Sequence, residues 1–225
     1  MVYHVLNRSN AGIILFEKHE DYQAFDRVLL EAHERTPLRI LAYCQMPTHW
    51  HFVLWPRRDG DLSEFIQWLT LTHTCRWHAA HGTTGAGHLY QGRFKSFPVQ
   101  SDGHLLSACR YVERNALRAG LVTRAEAWPW GSLWRQQAEG KGRSAAVLSP
   151  WPVDRPADWI RRVNEAESET ELEALRRCLT RGQPFGAADW VPQIAASMGL
   201  ESTLRPHGRP RKRGQDPFSQ NSRKT

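Results

Sequence analysis

The sequence predicts an α+β fold in which an antiparallel sheet carries helices on one face. Over residues 3–119, segments with two-residue hydrophobic alternation and segments with helical spacing follow one another in the order β-α-β-β-α-β-α. Consecutive strands joined by a short turn favour antiparallel pairing. A Trp-rich region of helical pattern and a basic stretch come after this body. We therefore expect a small helical C-terminal appendage and a basic tail.

Three short segments predict the first half of the sheet. From Tyr3 to Arg8, side chains of opposite character alternate, as they do in a half-buried strand. Apolar residues then recur at helical spacing from Asp21 and stop before a proline, which ends the helix. Residues 38–46 and 49–55 are rich in apolar and β-branched residues and flank a Pro-containing turn, so we expect two adjacent strands there.

A second helix and a fourth strand are expected next. Asp61, with Glu64 three residues later, resembles a capping box and predicts a helix that runs to about His78. Residues 81–87 are rich in Gly and Thr and predict a loop. Residues 88–99 place aromatic and aliphatic side chains around two basic ones, which is typical of a strand or hairpin arm.

A third helix is predicted to begin after the N-cap residue Asp102 and to end near Ala119, just before Gly120. On a helical wheel, its apolar side chains form a buried stripe. The stripe consists of Leu105, Ala108, Cys109, Val112 and Ala116. Tyr111 and Asn115, four residues apart, lie on one side at the edge of this stripe. A side chain at that edge can touch the sheet and still meet a ligand.

Composition divides the chain into four parts. We expect a body over residues 1–135, a linker over 136–150, a helical appendage over 151–204 and a disordered basic tail over 205–225. The formal net charge is +7. The tail holds seven Lys or Arg and a single Asp, so six of the seven net charges belong to it. A nearly neutral body with a polycationic arm indicates nucleic-acid binding, although a solvated tail without a partner has the same composition.

Several classes of protein are disfavoured by what the sequence lacks. It contains no run of 18 apolar residues, and the N-terminus has no basic and then apolar leader, so neither a membrane span nor a signal peptide is predicted. The four cysteines form no Cys-x-x-Cys pair and are typical of reduced thiols. We therefore expect a cytoplasmic protein that associates with the nucleoid.

The stretch from Gln45 to Trp55 holds the first candidate for chemistry. Because side chains alternate on a strand, His49 and His51 point to one face, whereas Trp50 and the apolar residues after it point to the other. Two imidazoles side by side on a strand form half of a metal site. Two polar residues on a solvated strand face would give the same pattern, so the pair alone leaves both interpretations open.

A helix packed on the sheet would bring Asn115 to His49 and His51. Two neutral imidazoles and one amide oxygen would bind a divalent cation weakly and leave coordination positions free for a phosphate. Tyr111 would lie beside that phosphate as a nucleophile. Only about 0.1 % of a free tyrosine is phenolate at pH 7, and a cation that polarises the phosphate offsets this deficit. The product would be a phosphotyrosine, which retains the bond energy for a second strand transfer.

Three stretches resemble motifs of the single-tyrosine transposases that carry a His-hydrophobic-His (HUH) motif, and in particular the REP-associated tyrosine transposases. Residues 45–52, Gln-Met-Pro-Thr-His-Trp-His-Phe, are similar to the HUH motif. Residues 87–96 are similar to the strand that follows it, and residues 110–122 resemble the tyrosine helix. The resemblance covers about residues 2–135 and extends through residues 182–186 to the tail.

The resemblance implies a ferredoxin-like core, a Mg²⁺ or Mn²⁺ cofactor and cleavage of single-stranded DNA beside a hairpin formed by a REP-like palindrome. Tyr111 would be the nucleophile that takes the 5′ phosphate, and a free 3′ hydroxyl would remain. The metal ligands would be His49, His51 and Asn115.

The sequence departs from the pattern of this family at three places. Thr48 stands where Asn is common, and Gln45 stands where Leu is usual. Ala116 and the leucine after it replace a usual Pro-Val pair. None of these changes removes a catalytic group, but the absence of the proline could alter the local bend of the helix.

Basic side chains along the body and the tail are candidates for contacts with DNA phosphates. They are Arg8, Arg57, Arg58, Arg93, Lys95, Arg110, Arg114, Arg118, Arg209, Arg211, Lys212 and Arg213. Residues 208–211, Gly-Arg-Pro-Arg, resemble the centre of a minor-groove-binding hook, because Gly and Pro keep such a chain extended. We expect the body to hold unpaired bases while the tail grips the duplex stem.

Two functions stay open at the level of sequence. The first is a DNA strand transferase, and the second is a catalytically silent, domesticated protein that binds palindromic hairpins. The intact set of His, Tyr and Asn favours the first. A replication initiator or relaxase is less favoured, because these enzymes need a different arrangement around the His pair. The C-terminal helices favour a monomer over a homodimer with Tyr and His from different chains.

Deletion of residues 205–225 should weaken binding of a DNA hairpin and reduce the slope of log affinity against log salt concentration, because phosphate contacts release counterions. Fluorescence anisotropy at several salt concentrations measures both quantities. An unpaired strand of equal length serves as the control, and its affinity should fall less. If hairpin affinity and slope do not change, the tail does not grip the stem.

Overall fold

Four strands form one antiparallel sheet, β1 (Val2–Arg8), β2 (Arg39–Met46), β3 (His49–Trp55) and β4 (Lys95–Val99). The structure is a computed structural model that describes residues 1–137 and 147–205. The strand order is β2-β3-β1-β4 and every neighbouring pair is antiparallel. The predicted α+β class and the ferredoxin-like antiparallel sheet are therefore confirmed.

The helices follow the predicted order in the body and continue beyond it. They are α1 (His19–Arg35), α2 (Asp61–Ala80), α3 (Gly103–Glu113), α4 (Asn115–Arg118), α5 (Ser132–Gln137), α6 (Trp159–Asn164), α7 (Glu169–Arg181), α8 (Trp190–Met198) and α9 (Glu201–Leu204). Asp102 caps α3 by accepting a hydrogen bond from the backbone N–H of His104. Within the described ranges, no helix is long and apolar enough to cross a membrane.

Two predicted elements have different bounds in the structure. The arm predicted over residues 88–99 is a strand only from Lys95 onward, and Tyr90 makes an isolated bridge to Ser9. The third helix is divided into α3 and α4 at Arg114, where φ is −83° and ψ is −5°. Tyr111 is therefore in the last turn of α3, and Asn115 begins α4.

Helices cover both faces of the sheet, which corrects the expectation that they lie on one face. Helices α1 and α2 pack against Trp50 and Phe52, whereas α3 packs against Val53 on the other side of the same strand. The physical reason is visible in β2, whose side chains from Ile40 to Met46 are all buried. A strand buried on both faces loses the alternation of a half-solvated one.

Strand register determines which side chains share the face of α3. Residues paired across antiparallel strands point to the same side. In β1, His4 is opposite Val53, Leu6 is opposite His51, and Arg8 is opposite His49. The His pair therefore shares its face with the even-numbered residues of β1, at the end of the sheet where Arg8 lies.

The C-terminal helices share the core beneath α3. Trp159, Val163 and Leu175 are buried in the same apolar cluster as the inner face of α3. The indole N–H of Trp151 donates to the carbonyl oxygen of Leu41 at 2.8 Å. The expected division at residues 136–150 stays a prediction, since most of that linker lies outside the described residues.

A buried chain of hydrogen bonds anchors β3 on the face opposite the His pair. The indole N–H of Trp50 donates to the hydroxyl of Tyr90 at 3.0 Å, and this hydroxyl lies 2.8 Å from Nδ1 of His73. The hydroxyl has one proton to give, and a neutral His73 can accept it at Nδ1. Burial lowers the pKa of His73 to about 3.

His73 should make the free energy of unfolding dependent on pH. Its pKa rises from about 3 when folded to about 6.5 when unfolded. The stability contributed by the neutral imidazole is therefore complete above pH 6.5 and is lost as pH falls toward 3. Between pH 7 and pH 5, the loss should be about 2 kcal/mol.

Urea denaturation of His73→Asn at the two pH values tests this expectation. Asparagine keeps an acceptor near Nδ1 but does not titrate, so the difference in unfolding free energy between pH 7 and pH 5 should shrink by about 2 kcal/mol. His88→Asn removes an exposed histidine and serves as the control. An unaltered difference in His73→Asn would contradict the assignment.

Candidate active site

A cleft of about 440 Å³ lies between the end of the sheet, the Tyr111 helix and α7. It brings together side chains from the strands, the loop before β4 and the C-terminal helices. Its lining consists of Leu6, Asn7, Arg8, His49, His51, Gln91, Gly92, Arg93, Lys95, Tyr111, Asn115, Arg118, Arg176, Leu179 and Thr180. No carboxylate is among these residues, so the cleft offers cations and neutral donors to a ligand.

The two histidines of β3 lie side by side in this cleft, with ring centroids 5.1 Å apart. Nδ1 of His49 lies 3.2 Å from Oγ1 of Thr48, and Nδ1 of His51 lies 3.1 Å from Nε2 of His4. Each ring therefore uses Nδ1 within the protein. Nε2 is the nitrogen that remains for a ligand in the cleft.

Burial keeps both imidazoles neutral. It lowers the pKa of His49 to about 4, with a smaller contribution from the positive charge of Arg8. Burial also holds the pKa of His51 well below its usual range, and His4 adds to this effect. A neutral imidazole has the free lone pair that a metal ion needs.

Tyr111 faces the pair from α3. Its ring centroid is 5.9 Å from that of His51, and 7 % of the residue is exposed. Burial raises the pKa of the phenol, and the guanidinium of Arg118 opposes this rise. The guanidinium carbon of Arg118 lies 4.1 Å from the centre of the tyrosine ring, so a phenolate formed here would have a cation beside it.

Asn115 is held by the same arginine. Nη2 of Arg118 donates to Oδ1 of Asn115 at 2.7 Å, while Nδ2 of Asn115 is buried without a hydrogen-bond partner among the described residues. The carbonyl oxygen has a second lone pair. Asn115 therefore retains an acceptor site, it lines the same cleft as the His pair, and Arg118 fixes the direction of its amide.

Arg110 and Arg114, expected to contact DNA phosphates, are hydrogen-bonded to backbone carbonyl groups of the C-terminal region. Arg110 donates to the carbonyl oxygens of Glu165 and Ala166, at 2.9 and 3.1 Å. Arg114 donates to the carbonyls of residues 163 and 164 and lies 2.9 Å from the carboxylate of Glu167. These arginines therefore hold the end of α6 and the segment after it on the body.

The other candidate cations are divided between two regions. Arg8, Arg93 and Lys95 line the cleft, and their contacts with DNA phosphates stay a prediction. Arg57 and Arg58 line a separate pocket with Met1 and Tyr3, at the opposite end of β1. The predicted contacts Arg209, Arg211, Lys212 and Arg213 lie outside the described residues.

Sequence reasoning missed several residues of the site. His4 could have been found, because the alternation of β1 places it on the same face as Arg8. Arg176 and Thr180 of α7 also line the cleft, but no sequence signal joins them to a strand more than a hundred positions away. Glu167, which ion-pairs with Arg118 at 2.8 Å, was missed for the same reason.

The donor set has the chemistry of a weak divalent-cation site. Among the described residues, no three His, Cys, Asp or Glu side chains converge to hold a metal. The available donors are two imidazole nitrogens and one amide oxygen. Imidazole suits Mn²⁺ and other transition metals, while the amide oxygen suits Mg²⁺ as well. The residues therefore fit a cation that takes its other ligands from water or phosphate.

Comparison with known proteins identifies a family for the first half of the chain. The model of the IS200-like transposase family matches residues 1–115, just over half of the chain. The match includes His49, His51, Tyr111 and Asn115. No curated protein matches the sequence.

Two solved structures are similar to this chain. A REP-associated tyrosine transposase bound to a REP hairpin has a TM-score of 0.51 and 18 % sequence identity, over 69 % of this chain and 88 % of that chain. At this identity, the similarity establishes a shared fold. A protein of Deinococcus radiodurans R1, provisionally described as a transposase, has a TM-score of 0.38 and 15 % identity, over 54 % of this chain and 85 % of that one.

The family match covers the sheet, the His pair and the helix that carries the tyrosine. The resemblance inferred from the motifs is thereby confirmed, and the chain belongs to the family of IS200-like transposases.

Proposed function

We propose that this transposase cleaves and rejoins single-stranded DNA beside a hairpin through a covalent bond between Tyr111 and a 5′ phosphate. The observation that carries the proposal is the position of Tyr111, whose ring faces His51 across one cleft at 5.9 Å. A packing tyrosine would have no need of two neutral imidazoles and a fixed amide at its side.

The phenol oxygen of Tyr111 attacks the phosphorus of the scissile phosphodiester. The phenol gives up its proton to solvent water, the new O–P bond forms as the bond to the 3′ oxygen breaks, and the 3′ oxygen leaves as a hydroxyl after taking a proton from water. Arg118 stabilises the phenolate that the attack requires. Arg8, Arg93 and Lys95 hold the flanking phosphates, so the strand lies along the end of the sheet.

His49 and His51 would hold a Mg²⁺ or Mn²⁺ ion through Nε2, with Oδ1 of Asn115 as the third donor. When bound, such an ion polarises the phosphate and stabilises the charge that develops on it. The absence of carboxylates from the cleft favours this use, since the cation keeps its charge for the phosphate. Thr48 and His4 orient the two rings through Nδ1.

A hairpin formed by a REP-like palindrome is the proposed partner. One solved structure of this fold is described as bound to a REP hairpin. The cleft itself has a volume of about 440 Å³ and is lined by cations, which suits one strand better than a duplex. We propose that the cleft binds the unpaired strand that flanks the hairpin, while the duplex stem lies outside the cleft.

One chain is sufficient for the proposed site. Tyr111, the His pair and Asn115 come from the same polypeptide and line one cleft, so a partner subunit need not supply the tyrosine. This observation supports a monomer.

Tyr111→Phe should abolish the covalent product while leaving DNA binding within about threefold, because the ring keeps its packing and only the nucleophile is lost. The substrate is a hairpin with unpaired flanks, labelled at its 3′ end, since the proposed attack retains the downstream fragment on the protein. Denaturing gel electrophoresis after incubation with Mn²⁺ measures the adduct.

Tyr22→Phe, at a buried tyrosine that stacks on Trp130, is the matched control and should still form the adduct. Retention of adduct by Tyr111→Phe would assign the nucleophile elsewhere. Binding without any adduct in the wild type would favour the alternative function, a silent hairpin-binding protein.

Arg93→Gln and Lys95→Gln should each weaken binding of the unpaired flank and reduce its salt slope by about one, since each removes one phosphate contact. Arg27→Gln, on α1 across the sheet, should leave the slope unaltered. Arg110→Gln should also leave it unaltered, because that arginine is bonded to carbonyl oxygens. Anisotropy titrations over a series of salt concentrations measure these slopes. Equal slopes for all four variants would show that the DNA strand does not bind in the cleft.

A further inference from the structure

A third histidine lies directly behind the His pair. His4 is fully buried on β1, its ring stacks on Phe97 at 4.9 Å, and it meets Tyr111 edge-on at 6.1 Å. Its Nε2 is 3.1 Å from Nδ1 of His51. Its Nδ1 is buried without a hydrogen-bond partner among the described residues. His4 cannot reach the cleft, so it can act there only through His51.

The contact between the two imidazoles has room for only one proton, because the two nitrogens are 3.1 Å apart and two N–H groups cannot point at each other at that distance. If His51 donates from Nδ1, its Nε2 has a free lone pair that faces the cleft. If His4 donates instead, Nε2 of His51 carries a hydrogen and cannot ligate a cation. The protonation of this single contact therefore determines whether His51 can serve as a ligand.

We propose that His4 is a positioning residue that accepts the Nδ1 proton of His51 and so keeps Nε2 of His51 available to a divalent cation. This inference rests on the proposed function, because that function requires the cation. His49 needs no such residue, since the hydroxyl of Thr48 can accept its Nδ1 proton at the edge of the cleft. His51 is 3 % exposed, and among the described residues only His4 offers Nδ1 an acceptor.

The alternative is that His4 merely fills space between the sheet and α3. A space-filling role needs a flat ring of the same size and no acceptor. A positioning role needs an acceptor at the place of Nε2, whatever carries it. The side-chain oxygen of glutamine can lie where Nε2 of His4 lies, whereas that of asparagine reaches only the position of Nδ1. Phenylalanine fills the space of the ring but offers no acceptor.

The test measures Mn²⁺ affinity of the full chain without DNA, by the loss of the free-ion signal in electron paramagnetic resonance. His4→Phe and His4→Asn should bind Mn²⁺ about 10- to 100-fold more weakly than the wild type, the usual effect of removing a hydrogen-bond partner of a metal ligand. His4→Gln should stay within about threefold of the wild type.

His73→Phe is the matched control, since it removes another buried imidazole with one hydrogen bond, on the far face of the sheet. It should leave Mn²⁺ affinity unaltered. Should His4→Phe fail to fold, the pair His4→Asn and His4→Gln still separates loss of the acceptor from loss of the ring. Hairpin binding in EDTA reports whether each variant is folded.

Two outcomes overturn the inference while the proposed function stands. They are wild-type Mn²⁺ affinity in His4→Phe or His4→Asn, and equal weakening in His4→Gln and His4→Asn. If the wild type itself neither binds Mn²⁺ nor forms the Tyr111 adduct, the proposed function fails and this inference fails with it.

Discussion

The two-residue repeat of β3 is the constraint on which the site depends. Trp50, Phe52 and Leu54 are buried against α1 and α2. Because side chains alternate along the strand, His49 and His51 must then lie on the opposite face of the sheet. A slip of one residue in register would bury both imidazoles among aromatic rings and expose Trp50 to the cleft. The hydrogen bonds from Trp50 to Tyr90 and from Tyr90 to His73 oppose such a slip, because breaking them would leave buried polar groups without partners.

The C-terminal helices take part in the site through Arg118. This side chain contacts the ring of Tyr111 and the amide of Asn115 on one side and the carboxylate of Glu167 on the other. Glu167 has 4 % of its side chain exposed, and it also pairs with Arg114. A carboxylate so buried is tolerated because two guanidinium groups and their hydrogen bonds compensate its lost hydration. The appendage thus sets the position of the guanidinium beside Tyr111, the proposed nucleophile.

The charge distribution of the cleft matches a phosphodiester better than it matches a metal held for structural purposes. Structural sites usually close around their ion with charged or thiolate ligands. Here the donors around His49 and His51 are neutral, and cations such as Arg8 and Lys95 stand at the entrance. An anion that accompanies a divalent ion would therefore strengthen its binding, which couples cation and DNA binding in one cleft.

The sequence by itself determined the parts of the site that lie close together along the chain. The alternation of β3 placed His49 and His51 on one face, and the four-residue spacing of Tyr111 and Asn115 placed them on one side of a helix. Both are local properties, fixed by strand and helix geometry. The antiparallel sheet could be predicted for the same reason, because its order follows from the periods of successive segments.

Only the tertiary structure decided which distant residues meet. Two sheet faces are covered because β2 is apolar on both sides, so α3 had to pack opposite α1 and α2. Helices α6 and α7 also pack against α3, and Arg110 and Arg114, expected as DNA contacts, are hydrogen-bonded to residues 163–166. His4 joined His51 through strand pairing, and Glu167 reached Arg118 across the same interface. Contacts between residues far apart in sequence leave no periodic signal within either segment, and for that reason they became visible only in the folded chain.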